Sequence, residues 1–140
     1  MKTILQAMQH DLTPEQIEEL NRRFDNPIIT NMRTLTDVQK ELGVNPMLNL
    51  ELIKKAYNSP SDVKELKAIA HEISILAIYF DYAIMPVGSP ALMWLLTYEI
   101  VTPVLFAHSE RISQDVVQDD GSVKKISTFK HVEFIELSPY

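Results

Sequence analysis

Residues Asp81 to Leu96 read DYAIMPVGSPALMWLL: an apolar strand-like run, a Gly88-Ser89-Pro90 turn, then an apolar run of helical character. The strand portion, Tyr82 to Val87, is apolar on both faces. A strand of that kind belongs in the middle of a sheet covered by helices on both sides, as in α/β folds. Ser89 suits a helix N-cap, and Pro90 suits the first helical position, where a fixed φ helps and a missing N–H is harmless. The predicted helix runs from Pro90 to about Ile100, and Pro103 to Ala107 (PVLFA) supplies another apolar strand.

Upstream, the same alternation of strand and helix continues. Thr3 to Met8 (TILQAM) is a short strand candidate. Thr13 then acts as N-cap, Pro14 opens a helix, and Gln16 completes a capping box; the helix runs to about Phe24, with Leu12, Ile17, Leu20 and Phe24 as its expected buried side. Asn26-Pro27 stops it, and Pro27 to Met32 reads as a second short strand. A helical piece with Thr36 as cap and Gly43 as stop follows, then one over Asn49 to Tyr57. A longer helix from Ser61 to about Ala77 carries Val63, Leu66, Ile69, Ala70, Ile73 and Leu76 or Ala77 as its stripe.

Downstream the style changes. Glu110 to Gln118 and Val123 to Leu137 flank Asp119-Asp120-Gly121-Ser122, and Asp-Gly is a strong hairpin signal. With Asp120 and Gly121 in the two turn positions, Val116 falls opposite Lys125 and Arg111 near Lys130. Such a ribbon is only marginally stable alone, so it is expected to extend the sheet or to reach across a dimer. The reading is one α/β domain over residues 1–140 with a mainly parallel sheet and a C-terminal hairpin at about 109–137.

Composition narrows the chemistry. The 140 residues are 46% hydrophobic, with eight prolines and three glycines spread along the chain, which suits one core and no linker. There is no cysteine, which removes disulfides, thiol catalysis and cysteine-ligated zinc, and fits a reducing, cytoplasmic setting. Neither a signal peptide nor a membrane span is expected. The net charge of −6 argues against binding a long nucleic-acid backbone, but not against a small anion held by local positive groups.

Four places are candidates for chemistry. Gly88-Ser89-Pro90-Ala91 combines a close turn with a helix start, which suits phosphate; the plainer reading is a well-capped helix. His108-Ser109-Glu110-Arg111 follows the strand PVLFA, and Arg111 and Ser109 suit a phosphate equally as well as a solvated strand end. Gln9-His10-Asp11 follows the first strand: His10 suits an acid or base, whereas Asp11 alone reads as a cap or dipole partner. His71 and His131 read as ordinary surface or half-buried residues. No two histidines are spaced with a carboxylate as a metal site, so neither metal nor cofactor is expected.

The N-terminal LQAMQHDLTPEQIEEL, the central YAIMPVGSPALMWLL and the C-terminal AHSERISQDVVQDDGSVKKISTFKHVEFIEL together resemble the small single-domain CRISPR-associated proteins of the Csx-twenty group. The resemblance covers the whole chain in order and is most specific from Ser109 to Val132. It implies a Rossmann-like, CARF-like domain that dimerises around cyclic tetra-adenylate on its two-fold axis and linearises this second messenger of type III CRISPR defence, as a ring nuclease without metal. The implied pocket comprises His10, the Gly88-Ser89 turn and Ser109 to Arg111. Arg111 is expected to stabilise the phosphorane charge, His10 to act as acid or base, and Ser89 and Ser109 to cradle phosphate. The turn Gly88-Ser89-Pro90-Ala91 departs from the group's Gly-Asp pattern. A module that binds the ring without cutting it needs the same cradle.

Overall fold

The structure, a computed structural model, describes residues 1–34, 48–58 and 60–138. The expected helical piece from Thr36 to Gly43 lies outside them. The elements are β1 (Thr3–Gln6), α1 (Pro14–Phe24), β2 (Ile28–Asn31), α2 (Leu50–Lys54) running into a 3-10 turn (Lys55–Asn58), α3 (Val63–Ala77), β3 (Tyr82–Met85), α4 (Pro90–Leu96), β4 (Val104–Val117) and β5 (Val123–Leu137). They form one mixed α/β domain whose five-stranded sheet has the order β2-β1-β3-β4-β5. The first four strands are parallel, and β5 runs antiparallel to β4.

The doubly apolar strand is where its composition puts it, in the centre. Ala83 and Met85 face one helical layer with Leu5, while Ile84 faces the other with Ile4, as the two-residue period of a strand requires. On the first side α3 and α4 supply Ile69, Ile73, Leu76, Leu92 and Leu96. On the second, α1 supplies Leu20, which meets Phe134 of β5. Each of these fully buried aliphatic or aromatic side chains contributes roughly 1.5–3 kcal/mol from burial.

The caps form as their residues dictate. Thr13 accepts from the Gln16 amide at 3.2 Å while Gln16 Oε1 accepts from the Thr13 amide at 2.9 Å, closing the capping box. Ser89 caps α4 by accepting from the Leu92 amide at 3.3 Å. Three expectations are corrected. Ile17 is 41% exposed, and Gln16 and Glu19 take buried places instead, Gln16 bonded to the Thr13 backbone and Glu19 to the backbone of β5. Val63, the first residue of α3, is 60% exposed, and the buried stripe begins at Leu66. Finally, α4 ends at Leu96, and a turn bonded from the Ile100 amide to Leu96 O at 2.9 Å carries the chain to the sheet.

The ribbon also differs from expectation. His108 to Arg111 do not follow a strand but lie inside β4, which runs on unbroken into the hairpin. Val117 pairs with Val123 and Val116 with Lys124, one residue off the two-residue-turn register, so Arg111 stands opposite Phe129 rather than Lys130. The cause is Gly121, whose φ of 85° lets a longer loop close the hairpin. A bulge between His108 and Ser109 leaves Val132 without an opposite number. The root of the hairpin extends the sheet, one of the two expectations for it, and its outer part stands exposed as an arm.

The connections out of β1 and β3 leave in opposite directions: β1 leads through α1 to β2 on one side, β3 through α4 to β4 on the other. In open sheets such a switch point, at the carboxyl ends of the strands, is where ligands collect.

Candidate functional site

Two loops flank the switch point, Ala7 to Thr13 after β1 and Pro86 to Ser89 after β3. With Pro90, just inside α4, they contain six of the residues singled out in the sequence: Gln9, His10, Asp11, Gly88, Ser89 and Pro90. The loop after β1 is pinned to β3, because the Ala7 and Met8 amides both donate to Ile84 O at 3.1 Å. Gln6 Nε2 donates to His10 O at 2.9 Å and so holds the backbone of His10, whose imidazole is exposed. Asp11 is paired with Arg33 from the loop after β2, which brings a fixed cation to the same edge.

The 3-10 turn packs beneath both loops. Tyr57 donates its hydroxyl to Ala7 O at 2.8 Å, and burial pushes the Tyr57 phenol well above its ordinary range. Next to it, Ala56 O lies against Gly88: a Cβ built on Gly88 would stand 2.6 Å from that oxygen and 2.7 Å from Leu92 Cδ2. Gly88 also has φ of 66°, which favours glycine. The glycine is therefore required twice over, by conformation and by space. Ser89 accepts from Leu92 and keeps its own proton available to donate outward; with Pro90 lacking an N–H, α4 offers few free amides.

The third group is placed differently from the expectation. Ser109, Glu110 and Arg111 are exposed residues at the root of the arm. Arg111 donates to Ser127 Oγ at 3.1 Å across the hairpin. Because opposite residues of an antiparallel pair share a face and alternate along it, Ser109, Arg111, Phe129 and His131 lie on one side of the arm. Glu110 and its opposite, Lys130, take the other register.

The root of the arm carries residues that composition did not single out. The His131 side chain is only 7% exposed, and its Nε2 lies 2.7 Å from Glu19 Oε1. Glu19 also accepts from the Phe134 amide at 2.9 Å and lies 3.5 Å from Arg23, while Arg23 donates to Phe134 O at 2.8 Å. Thus α1 satisfies both outward backbone groups of Phe134 on an edge strand. A signal for this was present: positions 16, 19 and 23 of α1 are polar yet share a face with Leu20. Beside this cluster a cleft of about 340 Å³ opens between the start of α1 and the arm, with Ser109, Phe129, Lys130 and His131 on one wall and Thr13 and Gln16 on the other.

Among the described residues no group of three or more histidines or carboxylates is arranged to hold a metal ion, and no helix is long and apolar enough to cross a membrane. The fold is thus a mixed α/β domain with a mostly parallel sheet, candidate residues beside its switch point and an antiparallel arm. The family model described as the uncharacterized protein MJ1673 family matches residues 2–135, and the chain belongs to that family. Neither a curated protein nor a solved structure matches.

Proposed function

We propose that the domain is a Rossmann-like, CARF-like ring nuclease that binds cyclic tetra-adenylate between two copies of the chain and linearises it without metal. The observation that supports this reading is the switch point: the loops bearing His10 and Gly88-Ser89 flank the carboxyl ends of two adjacent parallel strands, the place where such sheets take nucleotide ligands. The resemblance to the Csx-twenty group supplies the ligand. A two-fold symmetric ring suits a two-fold axis between subunits, and the exposed arm, with Arg111 on it, is the element that extends toward a partner.

The chemistry asks little of the protein. A ribose 2′-oxygen bonds to its own adjacent phosphorus, the bond from phosphorus to the 5′-oxygen breaks, the 2′-proton passes to a base and the 5′-oxygen takes up a proton. The protein supplies alignment and charge stabilisation: Ser89 and Ser109 donate to phosphate, Arg111 balances the phosphorane, and His10 handles protons. Binding without cleavage is the second reading, favoured because no hydrogen bond among the described residues fixes the His10 imidazole.

Incubation with cyclic tetra-adenylate in chelator decides between them. Linear products ending in a 2′,3′-cyclic phosphate support the nuclease, intact ring held tightly supports the binding module, and no binding overturns both.

A further inference from the structure

The loop after β2 supplies a cation that none of the three candidate groups contains. Among the described residues of the loops that follow β1, β2 and β3, Arg33 is the one fixed positive charge. Arg111 stands elsewhere. Met85 of β3 pairs with Phe106 of β4, and Arg111 follows five residues later on the same strand, which at the rise of a strand is roughly 16 Å further on. An arginine side chain does not span that distance, so within one chain Arg33, not Arg111, is the cation of the switch point.

Local structure aims Arg33 at the end of β1. Asn31, the last residue of β2, accepts through Oδ1 from the Arg33 amide at 2.9 Å and from Arg33 Nε at 3.4 Å. The Asn31 carbonyl accepts from the Thr34 amide at 3.1 Å and the Thr34 hydroxyl at 2.9 Å, which closes the turn. Held at Nε, the guanidinium reaches Asp11 in the loop after β1 through its terminal nitrogen Nη2. Its charge also opposes the upward push that burial gives the Tyr57 phenol, and the Tyr57 hydroxyl is itself bonded to Ala7 O just past β1.

The pair with Asp11 is open to exchange. The Asp11 side chain is 90% exposed and that of Arg33 34%, and an ion pair so hydrated contributes little. A phosphodiester offers a guanidinium the same kind of charged oxygen, and its two free oxygens match a fork of two N–H donors. With Nε committed to Asn31, that fork is Nη1 and Nη2.

We propose that Arg33 is the phosphate-binding residue of the switch point and that Asp11 holds its place until a ligand arrives: a phosphodiester displaces the Asp11 carboxylate and takes Nη1 and Nη2 of Arg33. The phosphate then stands beside the loop that carries His10. The inference rests on the proposed function for the nucleotide class of the ligand. It gives Asp11 the role of a competitor for Arg33, not of a contact to the ligand.

The 2′-O-methyl form of adenylyl-(3′,5′)-adenosine, one phosphodiester that cannot attack itself, tests this when titrated into the full chain, with affinity and the Arg33 Nε–H resonance followed together. The resonance is expected to shift. Arg33→Ala should weaken binding about tenfold or more, and Arg33→Lys nearly as much, because the fork is lost with the charge kept. Asp11→Asn should tighten binding about threefold, the worth of an exposed pair that the phosphate no longer has to break. A purely structural pair gives the opposite sign, since losing either partner would loosen the loops and weaken binding. Lys64→Ala, which removes an equal charge from an exposed position on α3, should leave binding unchanged. No binding, no shift at Arg33, full binding in Arg33→Ala, an equal loss in Lys64→Ala, or weaker binding in Asp11→Asn each overturns the assignment. If cyclic tetra-adenylate is bound and cut with both Arg33→Ala and Asp11→Asn unaffected, the role of Arg33 falls and the proposed function stands. If the dinucleotide binds at Arg33 while the ring is neither bound nor cut, the role of Arg33 stands and the proposed function falls.

Discussion

Gly88 is the residue on which the geometry of the edge is most exposed to test. A methyl group there meets the backbone carbonyl of Ala56, which cannot rotate away as a side chain would, and the residue must also hold φ of 66°. Gly88→Ala is expected to cost about 2 kcal/mol of stability, read as a lowered urea midpoint with unchanged slope. Tyr57 tests the other half of the same packing. Removing its hydroxyl bond to Ala7 O in Tyr57→Phe should cost about 1 kcal/mol. Its phenol is raised in the fold, so the folded state keeps a proton that the unfolded chain releases above about pH 10; stability is full below that and falls as the solution becomes more alkaline. The Tyr57→Phe variant should show a shallower alkaline decline, and an identical one would contradict the assignment. Neither contact was legible in the sequence. Gly88 reads as a turn residue from its neighbours, but that Ala56 would be the obstacle depends on a tertiary approach that no local pattern encodes.

The elements were far more readable than their contacts, because caps and periods are local. Thr13, Pro14 and Gln16 place the start of α1 with no reference to the rest of the chain, and Ser89 places α4 in the same way. The buried side of α1 was misjudged for a physical reason: an apolar stripe marks burial against side chains, whereas Gln16 and Glu19 are buried against backbone that needs donors and acceptors. The arm shows a second limit. Asp-Gly announces a hairpin, but the length of its loop depends on which position takes the left-handed conformation, and one residue of slip exchanges every opposite pair. That slip put Arg111 with Lys130 on paper and with Phe129 in the molecule. Gly121 can be tested at the scale of the arm. With nothing within 4 Å of an added Cβ, Gly121→Ala brings conformational strain alone, about 1–2 kcal/mol. Faster amide exchange from Ile112 to Phe129, with α3 and β3 unchanged, is the expected outcome; unchanged exchange in the arm would show that it is stabilised by something other than its turn.

For the whole molecule, the net charge of −6 is unevenly opposed. Arg33 stands at the carboxyl edge of the sheet and Arg111 and Lys130 at the root of the arm, while Asp81 lies at the amino edge, accepting from the Thr3 amide at 2.9 Å. The backbone and hydroxyl of Thr3 hold the Asp81 carboxyl below its ordinary range. A depressed carboxyl binds fewer protons folded than unfolded, so its contribution is present above the ordinary carboxylate range and is lost as pH falls through the lower folded value. Asp81→Asn should therefore be less stable than the parent at neutral pH and nearly equal to it at about pH 2, below the ordinary carboxylate range, measured as urea midpoints; a constant difference across that range would place the effect elsewhere.

The bonds from α1 to Phe134 also have a meaning in time. They join residues 111 to 115 positions apart, so the buried carboxylate of Glu19 meets its imidazole and amide donors only when β5 docks against α1. Contacts of such separation are the slow ones in folding. Until β5 arrives, Glu19 and Arg23 remain hydrated and the flank of β4 stays open for pairing. A foreign strand that pairs with β4 first would occupy the place of β5 and leave this chain's own arm displaced.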